Sequence, residues 1–308
     1  MRELCTRRWA RWAAFPLALA AWEATASAQE GGIEVLSAPT LFEGGTRVSI
    51  AHVYRRREGL VDGTDDVTDP LQRTREEHRL VLGLDHGVRP DVTLSALLPF
   101  AWNDLDSNAG DLGGEGVGDI ALLAKYRAYK RDWSKGAFHL TLIGGIETPT
   151  GDTSERAGGS RLPPDLQPGS GSWDPFAGIA SNVNLERLRI DGRVFYKLNT
   201  EGTQDFQDGD FFSLEFDTAY RFYHPPYPGP TASARLGLQW RHEGRAELDG
   251  VKVGSSGRDE ILLRSGLTWH PRPNLDVTLS FDLPLYEDVN GQQLGLDYRS
   301  ILAIGYRF

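Results

Sequence analysis

The 308-residue chain lacks features that several protein classes require. It has one cysteine, Cys5, which leaves no pair for a disulfide and no cysteine-based metal site. It has no run of 18 consecutive apolar residues, so helices that span a membrane are excluded. Acidic residues outnumber basic ones by 43 to 33 and the formal net charge is −10. A nucleic-acid partner is therefore not expected, because phosphate binding needs a basic face.

The first 28 residues have the pattern of a secretory signal peptide. Four arginines lie within the first 11 residues, the apolar stretch from Ala13 to Ala21 follows, and Ala26-Ser27-Ala28 forms a small-residue cleavage site before Gln29. We predict that residues 1–28 are removed on export, and Cys5 with them. Residues 29–45 are predicted to be an N-terminal segment that either enters the body of the protein as a small plug or is disordered.

From residue 46 onward, apolar and polar side chains alternate with a period of two, which indicates β-strands. Between residues 91 and 102, for example, Val92, Leu94 and Ala96 share one face, and Thr93 and Ser95 lie on the other. The strands are predicted at 46–55, 78–88, 91–102, 117–128, 137–147, 173–185, 188–198, 210–222, 231–243, 258–270, 274–286 and 295–308. Short turns and long loops connect them alternately, as in outer-membrane barrels. The sequence predicts an all-β, transmembrane antiparallel β-barrel of about 12 strands over residues 46–308.

A soluble β-sandwich also alternates, but two features favour a membrane barrel. Aromatic residues lie on the apolar face at both strand ends and so predict two membrane-interface girdles. The girdle residues are Tyr54, Trp102, Trp173, Trp240, Trp269 and Tyr306.

The opposite face carries charges of both signs deep within the strands, where a dry sandwich core would not tolerate them unpaired. These residues are predicted to line the lumen: Arg189, Arg193, Lys197, Glu215, Asp217, Arg221, Arg235, Arg264, Asp282 and Arg299. They either line a passage or close it with ion pairs. A wide pore is not expected, because about 12 strands enclose little space.

Signals for catalysis and for metal binding are weak. The seven histidines are scattered without the spacing of a zinc site, so no metal and no cofactor is predicted. An outer-membrane phospholipase is the sharpest enzymatic alternative. It requires a serine beside a histidine on the outer face, but Ser49 and Ser95 lie on the opposite face from His52, His86 and His242. We therefore predict a protein that is not an enzyme.

Four segments resemble an outer-membrane transporter family of the meta pathway of phenol degradation. They are Gly116-Val117-Gly118-Asp119-Ile120 with the following Lys125-Tyr126-Arg127, Glu147-Thr148-Pro149-Thr150-Gly151-Asp152, residues 166–174, and Gly305-Tyr306-Arg307-Phe308. The resemblance implies a barrel that passes small aromatic or hydrocarbon compounds. It also implies that Phe308 is the terminal aromatic residue that the barrel assembly machinery recognises.

Together these features predict an outer-membrane channel of a Gram-negative bacterium that moves small, aromatic or hydrophobic solutes passively. Its expected partners are outer-membrane lipid and lipopolysaccharide, the barrel assembly machinery and a small-molecule solute. The alternative from another class is a structural or surface-interaction barrel that transports nothing. Gly144-Gly145 and Pro175 are candidate weak points for a sideways exit through the wall, because such residues loosen a strand ladder.

Overall fold

A computed structural model describes residues 39–308. The predicted signal peptide and most of the segment 29–45 lie outside the described residues. The long strands are β1 (Thr46–Gly63), β3 (Thr74–Arg89), β4 (Val92–Asp106), β6 (Ala121–Trp133), β7 (Gly136–Glu147), β10 (Asp174–Leu185), β11 (Leu188–Lys197), β13 (Phe211–Tyr223), β14 (Thr231–Glu243), β17 (Arg258–Arg272) and β18 (Leu275–Arg307). The short strands are β2 (Asp65–Val67), β5 (Leu112–Val117), β8 (Arg156–Ala157), β9 (Ser160–Arg161), β12 (Phe206–Gln207), β15 (Glu247–Leu248) and β16 (Val251–Lys252).

The 11 long strands form a closed antiparallel barrel. Each pairs with the next long strand along the chain, and β18 closes the ring by pairing with β1 from Arg47↔Arg307 onward. β2 and β5 pair with β1 and β4 outside this ring. Closure gives each long strand a partner on both sides, so the barrel has no open sheet edge, as a β-structure in lipid requires.

Strand β18 spans the membrane twice. Its first part, up to Val289, pairs with β17, and its last part, from Gln292, pairs with β1. The chain reverses at Asn290-Gly291, where Gly291 has a φ of +64° that suits the tight hairpin turn favoured by this residue pair. The chain therefore spans the membrane 12 times, because ten of the 11 long strands span it once and β18 spans it twice. The predicted fold class is confirmed.

The outer wall is apolar and the inner wall is largely polar. On β14, Leu236, Leu238 and Trp240 point outward and are 56%, 48% and 41% exposed. The alternate residues Gln239 and Arg241 point inward and are buried. This alternation suits a wall with lipid outside, and the protein is an outer-membrane barrel. Within residues 39–308 there is no helix with the length and apolar character needed to cross a membrane.

Short turns lie at one end of the barrel and long loops at the other, and short turns face the periplasm in bacterial barrels.

Several strands extend beyond their predicted ends toward the long loops. A loop was predicted at 56–77, but β1 continues to Gly63 and β3 begins at Thr74. The end of β1 is rich in charged residues, and its sequence therefore resembles a loop. Its side chains still alternate between the two faces: Arg57 points inward and is buried, whereas Arg56 binds Glu58 on the outside.

Candidate transport path through the barrel

Ion pairs fill the side of the lumen formed by β1, β11, β13, β14, β17 and β18, which we call the charged half. At its centre, Arg264 donates hydrogen bonds to both carboxylate oxygens of Asp282, at 2.8 and 3.1 Å. Arg299 donates to the same carboxylate at 2.7 Å. All three side chains are buried, so each charge depends on its partners rather than on water.

The network continues across β13 and β14. Arg193 Nη2 donates to Glu215 Oε1 at 2.6 Å, and the same oxygen accepts from Gln239 Nε2 at 2.6 Å. The oxygen of the Gln239 amide accepts from Arg299 Nη2 at 2.7 Å. Gln239 thus links the Arg193–Glu215 ion pair to the Arg299–Asp282 ion pair.

Above this layer, toward the long loops, Glu260 is surrounded by arginines. Its carboxylate lies 3.3 Å from Arg57, 3.2 Å from Arg241 and 3.6 Å from Arg258. Glu260 is fully buried. It is the common counter-ion of three guanidinium groups, and these arginines together block this half of the lumen.

The long loop between β7 and β10, residues 148–173, closes over the lumen. Arg75 on β3 donates to Asp165 Oδ2 at 2.9 Å and to the Asp165 carbonyl oxygen at 2.6 Å. Asn103 on β4 donates to the Leu166 carbonyl oxygen at 3.3 Å. Leu162 and Leu166 are 1% and 0% exposed, so this loop is packed against the barrel rather than projecting into solvent.

The residues that resembled the transporter family meet where this loop joins the wall. The Asp119 carboxylate accepts hydrogen bonds from the backbone N–H groups of Gly151 (2.8 Å) and Ser170 (2.6 Å), and from the Ser170 hydroxyl at 2.7 Å. A Cβ added to Gly169 would lie 2.7 Å from the Gly151 Cα. Glycine is required there because two loop backbones touch. Three family segments thus form one anchor for the loop.

A second group of buried charges lies beneath the long loops. Lys197 donates to Glu147 Oε2 at 3.1 Å. Asp208, in the loop between β11 and β13, is also close to Lys197 and to Asp174. Burial raises the pKa of Asp208 to about 7; the attraction of Lys197 opposes this shift, and the nearby acid Asp174 adds to it. Within the described part of the chain, one oxygen of the Asp208 carboxylate is buried without a hydrogen-bond partner.

The opposite side of the lumen, which we call the apolar half, carries a layer of hydrophobic side chains, with polar residues such as Lys125 and Thr141 nearer the short turns. They form one buried cluster that includes Leu97, Leu123, Ile143, Phe176, Phe195 and Phe211. The rings of Phe176 and Phe195 lie 5.5 Å apart, and those of Phe195 and Phe211 lie 6.3 Å apart. Gly145 makes room for the first ring, because a Cβ there would approach the Phe176 ring to 2.5 Å. Arg241 lies over Phe211, 5.3 Å from its centroid, where the two halves meet.

The wall beside the apolar half has a break in its strand ladder. β4 pairs with β6 as far as Leu97↔Ala121, and its next part, from Phe100, pairs with β5 instead. Residues 118–120 between β5 and β6 leave the strand conformation, with Gly118 N–H donating to the Pro99 carbonyl at 2.9 Å. The predicted weak point at Gly144-Gly145 and Pro175 has no such break. The β7–β10 ladder runs there without a register shift. On the other side of β10, the Pro175 carbonyl oxygen accepts from the Leu198 N–H at 3.0 Å.

At the short-turn end, the residues that precede β1 run beneath the lumen. The Leu41 N–H donates to the hydroxyl of Thr93, a fully buried residue of β4, at 2.8 Å. Arg47 pairs with Asp276 at 3.0 Å and with Asp85 at 3.6 Å. Residues 39–45 thus lie at the periplasmic opening. Whether the whole segment 29–45 is a plug stays a prediction.

The structure brings together most of the charges that were predicted to line the lumen. Seven of the ten are buried: Arg193, Lys197, Glu215, Asp217, Arg264, Asp282 and Arg299. Arg189, Arg221 and Arg235 lie nearer the short turns and are only partly buried. Arg189 pairs with Asp191 on its own strand, and Lys197 pairs with Glu147 rather than with β13. Sequence reasoning missed Arg57, Arg241 and Glu260, whose inward position follows from the same alternation.

The predicted girdle residues occupy the outer wall at its two ends. Trp173, Trp240, Trp269 and Tyr306 are exposed, and Tyr54 and Trp102 are partly exposed. The side chain of Phe308 is 70% exposed, and its backbone N–H donates to Thr46 O at 2.8 Å. Recognition of Phe308 by the assembly machinery stays a prediction.

In the part of the chain that the structure describes, the histidines considered for a phospholipase do not pair with a serine on the outer face. His242 bonds to Asp259 at 3.0 Å and His52 bonds to His78 at 3.2 Å, both on the outside. Ser95 bonds to Asp85 on the lumen side. Among residues 39–308, no group of three or more histidine, cysteine or acidic side chains is arranged to hold a metal ion.

Residues 60–299 match a family model described as "Putative MetA-pathway of phenol degradation". Among solved structures, the barrel resembles the COG4313 outer membrane channel from Pseudomonas putida F1, with a TM-score of 0.65 and 17% identity over 88% of this chain and 98% of that one. It also resembles the beta domain of the Bordetella autotransporter BrkA, with a TM-score of 0.47 and 11% identity over 86% of this chain and 100% of that one. No curated protein matches the chain.

Proposed function

Because the chain belongs to the family described as "Putative MetA-pathway of phenol degradation", we propose that it is a passive channel for small apolar or aromatic molecules. The main support for an apolar solute is the apolar half of the lumen. Barrel lumens are usually polar, so a cluster of leucine, isoleucine and phenylalanine side chains on the inner wall calls for a specific reason.

The charged half supports an apolar rather than a hydrophilic solute. Its guanidinium groups and carboxylates are engaged with each other at 2.6–3.6 Å, so a sugar or an ion that passed here would have to displace ion pairs. An apolar solute requires no hydrogen bonds from the wall. It gains from leaving water by about 25 cal/mol per Å² of apolar surface buried.

The break in the ladder at Pro99 and Gly118 suggests where such a solute leaves the lumen. It lies beside Leu97 and Ala121, two members of the apolar cluster. Local rearrangement costs least where pairing between strands is already interrupted. In this proposal a solute enters under the long loop, follows the apolar half and passes sideways through the break into the membrane.

Uptake into liposomes tests the proposal. Wild-type protein should accelerate the entry of toluene or phenol more than that of a sugar of similar size. Leu123→Asn places an amide with the same branched shape in the apolar half and should slow toluene entry, whereas Leu123→Met keeps the site apolar and should not. Equal or faster sugar entry in wild type, or no difference between the two variants, would contradict the proposal.

The filled lumen also favours a second candidate, a structural barrel without transport. Within residues 39–308, buried ion pairs and the long loop occupy part of the lumen. The long loops lie at the extracellular end, where they can meet lipopolysaccharide or other surfaces. This candidate predicts neither solute uptake nor single-channel conductance for wild type or for Arg193→Ala. Measurable toluene entry that depends on the protein would exclude it.

A further inference from the structure

The outer wall has a pocket near the short-turn ends of β6, β7 and β10. Its volume is about 410 Å³, and its lining residues are Tyr129, Arg131, Trp133, Phe138 and Val183. Because it opens outward from the barrel, it plays no part in the transport path described above.

A β-bulge creates this pocket. The β6–β7 register shifts between Arg127 and Tyr129, so one extra residue is inserted in β6. Before the bulge, Lys125 faces the lumen and is buried; after it, Tyr129, Arg131 and Trp133 face outward and are exposed. Without the extra residue, the alternation would direct these three side chains to the opposite face.

Arg131 is a cation within an aromatic and apolar surface. It lies directly opposite Phe138, which in turn lies opposite Val183. Tyr129 and Trp133 flank it along its own strand, and the rings of Tyr129 and Phe138 are 6.0 Å apart. The neighbouring carboxylate of Asp132 pairs with Lys130 at 2.9 Å. Among residues 39–308, no carboxylate lies within ion-pair distance of Arg131, and no other residue hydrogen-bonds to its guanidinium group.

The depth of this guanidinium group indicates what neutralises it. Trp133 is the last residue of β6, and Arg131 lies about 7 Å farther from the turn along the strand. An aromatic residue at the short-turn end suits the level of the periplasmic interface. An unpaired charge at the edge of the hydrocarbon is unfavourable, and long basic side chains there extend toward headgroups. The anion available at this level is the phosphate of a phospholipid in the periplasmic leaflet, which a guanidinium group binds through two parallel hydrogen bonds.

We infer that this pocket binds one anionic phospholipid of the periplasmic leaflet, with its phosphate on Arg131 and an acyl chain against Tyr129, Phe138 and Val183. An anionic lipid such as phosphatidylglycerol is favoured over a zwitterionic one, because the ammonium group of the latter would be brought close to Arg131. The lipid occupies a fixed place on the wall, whereas lipids elsewhere around the barrel exchange freely.

Native mass spectrometry of the full-length barrel, stripped of lipid in detergent and titrated with phosphatidylglycerol or phosphatidylcholine, tests this inference. Wild type should retain one phosphatidylglycerol in preference to phosphatidylcholine. Arg131→Gln should weaken phosphatidylglycerol binding about tenfold, since it removes a charge-assisted hydrogen bond. The matched control is Arg187→Gln, which removes an exposed arginine from a short turn at the same end of the barrel, outside the pocket. It should bind like wild type.

Arg131→Lys retains the charge without the planar fork, so its affinity should fall between those of wild type and Arg131→Gln. It also provides the comparison if Arg131→Gln does not fold, which the heat-dependent gel mobility of the barrel reports. Equal binding of the two lipids by wild type would overturn the inference. So would binding of phosphatidylglycerol to Arg131→Gln or Arg131→Lys at wild-type strength.

Discussion

Neutralising Glu260 should destabilise the barrel more than any exposed charge change. Its carboxylate serves Arg57, Arg241 and Arg258 at 3.3, 3.2 and 3.6 Å, and it is fully buried. A pair of charges 3.3 Å apart attracts by about 5 kcal/mol at an effective dielectric constant of 20. Glu260→Gln keeps the size and removes the charge, so the arginines retain only their second carboxylates, Glu287 and Glu243. Since removing one partner of a buried pair costs about 3–5 kcal/mol, we expect a loss of that size in the free energy of unfolding.

Urea unfolding in lipid vesicles, followed by tryptophan fluorescence, measures this loss. The control is Glu76→Gln, which removes a partly exposed charge 3.9 Å from Arg56 and leaves an amide oxygen that can still accept from the Tyr54 hydroxyl. It should cost less than about 1 kcal/mol. Combining Glu260→Gln with Arg241→Gln should recover part of the loss, because one uncompensated cation is removed. If Glu260→Gln and Glu76→Gln cost the same, the ion-pair network does not stabilise the barrel as argued here.

Three further results are expected. Leu263→Arg, on the lipid face of β17, should cost about 2–4 kcal/mol of folding free energy in vesicles. Thr268→Arg, on the lumen face of the same strand, should cost less, and equal losses would mean that the faces are assigned wrongly. The free energy of unfolding should fall as the pH rises from about 4 to 7, because folded Asp208 holds its proton to about pH 7 and the unfolded chain releases it near pH 4. Asp208→Asn should reduce this dependence on pH. If the dependence is unchanged in Asp208→Asn, other groups cause it. Asp119→Ala should release the long loop, so that trypsin cleaves at Arg156 or Arg161 faster than in wild type, and equal cleavage rates would show that the anchor does not hold the loop.

The number and order of the barrel strands could be predicted because the alternation of side chains survives in most of them. Strand lengths could not, since the ends of β1 and β3 are rich in charge and resemble loops until the partner strands are known. Arg57 illustrates the problem: its counter-ion, Glu260, lies on a strand far along the chain. Only the closed ring brings these two side chains together.

The apolar half of the lumen could not be predicted for a different reason. Leu97-Leu98, Leu122-Leu123 and Leu142-Ile143 are apolar on both faces, so the period of two disappears where one residue faces lipid and its neighbour faces the lumen. The outward position of Arg131 was hidden by the bulge that precedes it. Insertion of one residue reverses the faces of everything that follows, and the sequence carries no clear sign of it.

The seam between β1 and β18 has a consequence for biogenesis. The N–H of Phe308, the last residue, donates to the carbonyl oxygen of Thr46, the first residue of the barrel. The ring therefore cannot close until the chain has been synthesised and exported as far as Phe308. Until then the unfinished sheet has two unpaired edges and an apolar face, a combination that invites aggregation in water.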